Sequence, residues 1–324
     1  MDNNFAGVGL IVLGMFFFSI QDILIKLIIV DTSLLQILVF RAVAGCILLI
    51  IFLLYTKRTI TLGSAYPKIA ITRSLLFFFG FILFYISISK INLAEATSLF
   101  FVSPFFMTIF SKLILKNYIG LNRIFSLLVG FSGTLLIIKP EFNNVNIYML
   151  LPILCAFTYA LSMTLAKKTS DKDNLFQQTF HIYLVAIVMG ILIHVILNSL
   201  NLNYNPDGLT LLTKTWIVDD LTILFMIFFI SIIGSLGIIS LISAYRIGSP
   251  IINAPTEYIL LIFALAGGFI FFEELPDTIS VSEPLSFNII VSNNAGHNFP
   301  SGTTFTRQLW LQVIATLSGD TVFT

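Results

Sequence analysis

Apolar residues run through this chain in blocks. From Phe5 to Phe272, stretches hydrophobic on every face follow one another with scarcely a charge inside them, and the polar residues gather in the intervals. A helix needs about 20 residues to cross a hydrocarbon layer about 30 Å thick. The pattern therefore predicts nine spanning helices, over residues 5–28, 33–55, 69–89, 93–115, 121–138, 146–167, 177–198, 221–244 and 250–272. The connections are short, apart from 55–68 and 199–220. Beyond Asp277 the pattern changes. "TISVSEPLSFNIIVSNNAGHNFPSG" and "TFTRQLWLQVIATLSGDTVF" alternate polar with apolar residues between Asn, Gly and Pro. That is strand and turn chemistry, so 278–324 is expected to be a β-rich tail. Unpaired strands cannot lie in lipid, which puts the tail outside the bilayer.

Composition agrees with the blocks: 57% of residues are hydrophobic, 10% are charged, and the mean hydropathy is +1.00. A soluble fold of this length could not cover so much apolar surface, so the class is an all-α polytopic membrane protein. The net charge of +1 gives no footprint for nucleic acid. Cys46 and Cys155 both fall inside apolar runs, which reads as buried thiols and not as a disulfide or a metal site. With the N-terminus in the cytoplasm, eleven Lys and Arg fall on the inner side, Arg73 and Lys167 among them, against four on the outer side, including Lys26. The positive-inside rule then fixes that orientation and leaves the tail outside. Close-spaced small residues, such as Gly130 with Gly133, Gly234 with Gly237 and Ala264 with Gly268, suit close helix approach.

Two halves are suggested by paired features. "FFFSIQDILIKL" (16–27) and "AFTYALSMTLAKK" (156–168) each end a helix in lysine, and "LILKNYIGLNR" (113–123) has a counterpart in "FIFFEELPD" (269–277). Five helices per half would invert the second half relative to the first, as in many secondary transporters. The stretch 73–140, with its opening Arg73, Pro104, "GLNR" turn and closing Lys-Pro, resembles the first half of an EamA-type permease of the drug/metabolite transporter superfamily. "AYRIGSPIINAPTEYILLIFALAGGFIFFEELPD" (244–277) is similar to the ninth helix of that family and the turn that ends it. The resemblance implies two inverted five-helix repeats that move small metabolites across a cytoplasmic (inner) membrane. Here the tenth helix is missing. The domains expected are 1–140, 141–277 with four helices, and the tail 278–324. Where the family closes its fourth helix with Gly-Glu, this chain has Lys116 and Asn117.

Ionisable residues inside a span cost about 2.5–3.5 kcal/mol at a helix centre and usually face the bundle interior, so they are the site candidates. Glu257 and Tyr258 lead, following Asn253 and Pro255 in the ninth span. No lysine stands at i±3 or i±4 of Glu257, so its carboxylate needs a partner or water, and proton exchange during transport is its expected role. Asp22, beside Gln21, reads either as a cavity acid or as half of an i, i+4 pair with Lys26. Arg41 reads as structural glue or an anion ligand, and Glu95 as a helix N-terminal charge with a second reading in coupling. Tyr85 and Tyr159 are packing aromatics that could also offer hydroxyls to a cavity, and His181 is an interfacial histidine near a mouth.

No nucleophile elbow, phosphate loop or ligand cluster points to an enzyme, and no cofactor is expected. "NNAGHNFPSGTTFTRQLWLQV" resembles a β-segment of multihaem c-type cytochromes, but the chain has no C-x-x-C-H for haem attachment, which leaves His297 an orphan. The expected function is a secondary transporter for a small polar or zwitterionic metabolite. Its expected partners are that substrate, membrane lipid and a second copy of the chain. Two other readings stand beside it: a membrane anchor presenting the β module to a partner, and an inactive chimaera joined near residue 278.

Overall fold

The computed structural model describes residues 2–57, 62–120, 124–125, 127–129, 131–133, 147–199, 210–274, 316–317 and 320–321. The chain divides into two compact units, Met1–Asp277 and Thr278–Thr324. The first is helical: α1 (Asp2–Ile28), α2 (Leu34–Tyr55), α3 (Pro67–Ile88), α4 (Leu93–Phe100), α5 (Ser103–Leu115), α6 (Leu150–Lys168), α7 (Leu175–Ser199), α8 (Leu221–Ile247) and α9 (Ile259–Phe272). Eight segments of the described residues are long and apolar enough to span a membrane, with α4 and α5 together forming one of them. The chain is a multi-pass α-helical membrane protein. The fifth expected span, 121–138, lies largely outside the described residues; those described within it are helical.

Proline and capping groups set the helix boundaries. Pro67 opens α3 at a position where its missing N–H costs nothing. Asp220 caps α8 by accepting from the amides of Thr222 at 2.8 Å and Ile223 at 3.3 Å. Two expected spans prove to be broken. The fourth turns at Phe101–Val102, because Pro104 has no N–H to continue the ladder back to Phe100. The last begins as a single helical turn, Pro250–Asn253, passes through a 3₁₀ stretch, Ala254–Tyr258, that contains Pro255, and becomes regular helix only at Ile259. Broken spans are tolerated in lipid where neighbouring protein covers the freed backbone.

α1 lies along α8, α3 along α6, and α2 along α7, while α5 also packs on α6 and α9 on α1 and α4. Close approach depends on glycine at α2/α7, where a Cβ on Gly190 would come within 2.4 Å of Val39 Cγ2. The small-residue pairs are unequal: Gly237 abuts Phe17 and Phe18, but a Cβ on Gly133 would meet nothing within 4 Å among the described residues. Large apolar side chains such as Ile51, Leu113, Val195, Phe225 and Ile262 point outward. A soluble protein would not leave so many exposed, whereas lipid requires it. Arg73 departs from expectation: counted from sequence among the loop charges of one side, it is 1% exposed within α3.

In the second unit the described residues are two short strands, β1 (Thr316–Leu317) and β2 (Asp320–Thr321), paired antiparallel with Thr316 opposite Thr321. The rest of the expected β tail, His297 included, lies outside the described residues.

Candidate functional site

A partly open cavity lies between the helices of the first unit, lined by Met15, Phe18 and Asp22 of α1, Phe77, Gly80, Phe81 and Phe84 of α3, Phe100 of α4, Cys155 and Tyr159 of α6, Leu241 of α8 and Leu260 of α9. Six of those side chains are aromatic and Asp22 is the charged one. Phe100 is part of this wall, with its ring 5.2 Å from that of Tyr159. Cys155 is a free, buried thiol in the same wall.

Two buried carboxylates flank this space, and each sits in a network of its own. Around Asp22 the hydrogen bonds form a relay. Arg41 Nη1 donates to Gln21 Oε1 at 2.6 Å, Gln21 Nε2 donates to the Tyr85 hydroxyl at 2.6 Å, and Tyr85 donates to Asp22 Oδ1 at 3.1 Å. The Arg41 guanidinium lies over the Phe81 ring, 4.7 Å from its centroid, and Phe81 stacks on Tyr85 at 5.5 Å. The structure thus joins four of the sequence candidates, Gln21, Asp22, Arg41 and Tyr85. It corrects two readings. Asp22 does not pair with Lys26, which forms its ion pair with Glu274. Nor is Tyr85 mere packing, since its hydroxyl both accepts and donates.

Glu257 is fully buried in the 3₁₀ stretch. Its Oε1 accepts from the Tyr159 hydroxyl at 2.6 Å and from the hydroxyl of Tyr245. Glu257 Oε2 and Ser103 Oγ are both buried without a hydrogen-bond partner in the described structure. Tyr159, expected to pack, connects this carboxylate to the cavity: its ring lines the wall and its hydroxyl reaches Glu257. Tyr245 was missed from sequence. It stands twelve positions before Glu257, across a helix end and a turn, a spacing with no periodic signature.

The other candidates stand apart. Tyr258 donates to the carbonyl of Leu127 at 3.3 Å and packs on Phe101, so it points away from the Glu257 cluster. Asn253 fastens the ends of helices, with Nδ2 donating to Ala244 O at 2.7 Å and the amide packed against Gly7 and Gly248. Glu95 is half-buried in the first turn of α4, and the Leu93 amide at that helix start is met instead by Glu274 Oε2 at 3.0 Å. His181 is half-buried on α7 beside Phe180 and does not line the cavity. Among the described residues no group of three or more His, Cys, Asp or Glu could hold a metal ion.

Residues 5–139 match the family model described as the EamA-like transporter family. Over 278 residues the chain is 26% identical to the pseudopaline exporter CntI of Pseudomonas aeruginosa, covering 86% of this chain and 91% of that protein. It is equally 26% identical to an S-adenosylmethionine uptake transporter of Rickettsia bellii, over 84% of this chain and 87% of the relative. A riboflavin transporter of Vibrio cholerae is 33% identical across a shorter stretch, 29% of this chain and 31% of that one. A solved crystal structure superposes with a TM-score of 0.59 at 12% identity, covering 85% of this chain and 88% of the other, a likeness of fold.

Proposed function

We propose that the chain is a secondary transporter, not an enzyme, that carries a small polar or zwitterionic metabolite through the bundle by alternating access between two inverted halves, with its N-terminus in the cytoplasm. The observation that carries the reading is Tyr159, which belongs to the cavity wall and to the Glu257 cluster at once. A substrate that moves this ring acts directly on the hydrogen bonding of the carboxylate. Glu257 is then the coupling group. Two tyrosine hydroxyls serve one of its oxygens, and the other, buried without a hydrogen-bond partner in the described structure, is free to take a proton. A buried carboxylate without a cation beside it is costly to keep charged, which makes uptake and release of that proton the natural accompaniment of the conformational cycle.

The walls support a choice of substrate. Aromatic faces attract cationic groups and Asp22 supplies one negative charge, so a metabolite with a positive centre and a compact apolar or planar body fits best. The relatives named as a pseudopaline exporter and an S-adenosylmethionine uptake transporter support a small metabolite as the cargo. Purified protein in liposomes with an imposed pH gradient, given labelled S-adenosylmethionine as the first substrate, tests the reading. Uptake that needs the gradient and is lost in Glu257→Gln and Glu257→Ala is the expected result; gradient-driven flux unchanged in both variants removes Glu257 from the mechanism.

A further inference from the structure

We infer that Lys26 and Glu274 form a one-sided gate latch, closing one end of the cavity with an ion pair that the described residues of the opposite end lack. The inference rests on the transporter reading above and assigns a regulator to that same cavity.

The Glu274 carboxylate joins three helices at one point. Its Oε1 is ion-paired with Lys26 in the last turn of α1, and its Oε2 accepts from the Leu93 amide that begins α4, while its backbone ends α9. The Lys26 ammonium also lies 4.9 Å from the centroid of the Phe272 ring. Each of these helices contributes to the cavity wall: Asp22 from α1, Phe100 from α4 and Leu260 from α9. At about 1.5 Å of rise per residue, the latch lies about 6 Å along α1 beyond Asp22. The cavity cannot open at that end without parting α1, α4 and α9, and so without separating Lys26 from Glu274.

The opposite end is built alike but charged differently. α5 and α9 both finish on a left-handed residue, Lys116 at φ 56° and Glu273 at φ 55°. In both, the next amide reaches back six residues, Asn117 to Ser111 O at 3.2 Å and Glu274 to Gly268 O at 3.0 Å. Asn117 therefore holds the place at the end of α5 that Glu274 holds at the end of α9. Likewise Lys167 lies in the last turn of α6 as Lys26 does in that of α1. Among the described residues the ion pair is not repeated. Asn117 turns its amide onto its own Ser111 Oγ at 2.9 Å, and Lys167 donates to the carbonyl of Arg246, whose guanidinium in turn reaches the carbonyls of Asp173 and Ser170. The closed state of the Lys26 end is thus held by a side-chain ion pair, and that of the Lys167 end by cations on backbone carbonyls.

Cys155, buried in the cavity wall, can report which end is open. In a Cys46→Ala background, a membrane-impermeant cationic thiosulfonate is applied from either side of oriented vesicles. The parent protein is expected to react faster from the Lys167 side. Glu274→Gln raises the rate from the Lys26 side about five- to tenfold, the exchange Lys26→Glu with Glu274→Lys returns it towards the parent value, and Asn117→Glu, which offers Lys167 a carboxylate, slows labelling from the Lys167 side. Unchanged sidedness in Glu274→Gln and Asn117→Glu, with labelling in detergent intact, overturns the latch. Should Glu274→Gln not fold, Asn117→Glu decides alone, because it adds a carboxylate and gives up only the side-chain hydrogen bond to Ser111 Oγ. Labelling does not require flux, so a latch that fails while transport persists is distinct from a protein that transports nothing.

Discussion

Asp22 and Glu257 are both carboxylates buried in the bundle, yet they are held in opposite ways. Asp22 belongs to a relay that ends on a cation, Arg41, and it faces the cavity. Glu257 is 0% exposed and surrounded by hydroxyls, and it meets the cavity only through Tyr159. A charge balanced inside the protein can stay fixed while substrate comes and goes. A carboxylate served only by neutral donors on one oxygen is poised to change its proton. On the proposed reading the first suits binding and the second suits coupling, and Tyr159 joins the second to the cavity that the first lines.

Four substitutions test that division, in descending order of effect. Glu257→Gln should abolish uptake driven by a pH gradient while leaving exchange of labelled for unlabelled substrate in place; loss of both in counterflow measurements would merge the two roles. Arg41→Met should act on stability, because removing one partner from a buried charge network costs about 3–5 kcal/mol, measurable as a lowered Tm in detergent. Glu257 has no such cationic partner to remove. Gly234→Ala would bring a Cβ to 2.1 Å from Gln21 Oε1 and so push the relay aside, at a cost of about 1–3 kcal/mol. Gly133→Ala, with nothing within 4 Å among the described residues, is the control and should not destabilise. Asp22→Asn should raise KM about tenfold with a smaller change in kcat, the loss of about 1.4 kcal/mol of charge attraction for a cationic substrate. A KM unchanged in that variant would place the substrate's charge elsewhere in the cavity.

How far the sequence could be read follows from the chemistry of each residue. Spans were legible because lipid demands long apolar segments, and α2, α3, α6 and α7 begin and end within a few residues of the expected limits. Pro104 and Pro255 were visible, and both fall where a span is broken. Glu257, Asp22, Gln21, Arg41, Tyr85 and Tyr159 could be named because polar groups are scarce in such helices. Their partners could not be. Lys26 looked local to Asp22 at one helical turn, but its carboxylate lies 248 positions away. Tyr245 carried no signal at all.

What the sequence determined by itself is therefore the medium and the number of charges that medium must accommodate. Which faces meet was left to the tertiary structure, for a physical reason. In a soluble helix the apolar stripe marks the buried side, but these helices are apolar all round because their solvent is lipid, so hydrophobicity does not say which side turns inward. Only packing chose between Lys26 and Tyr85 for Asp22, and between solvent and the tyrosine pair for Glu257.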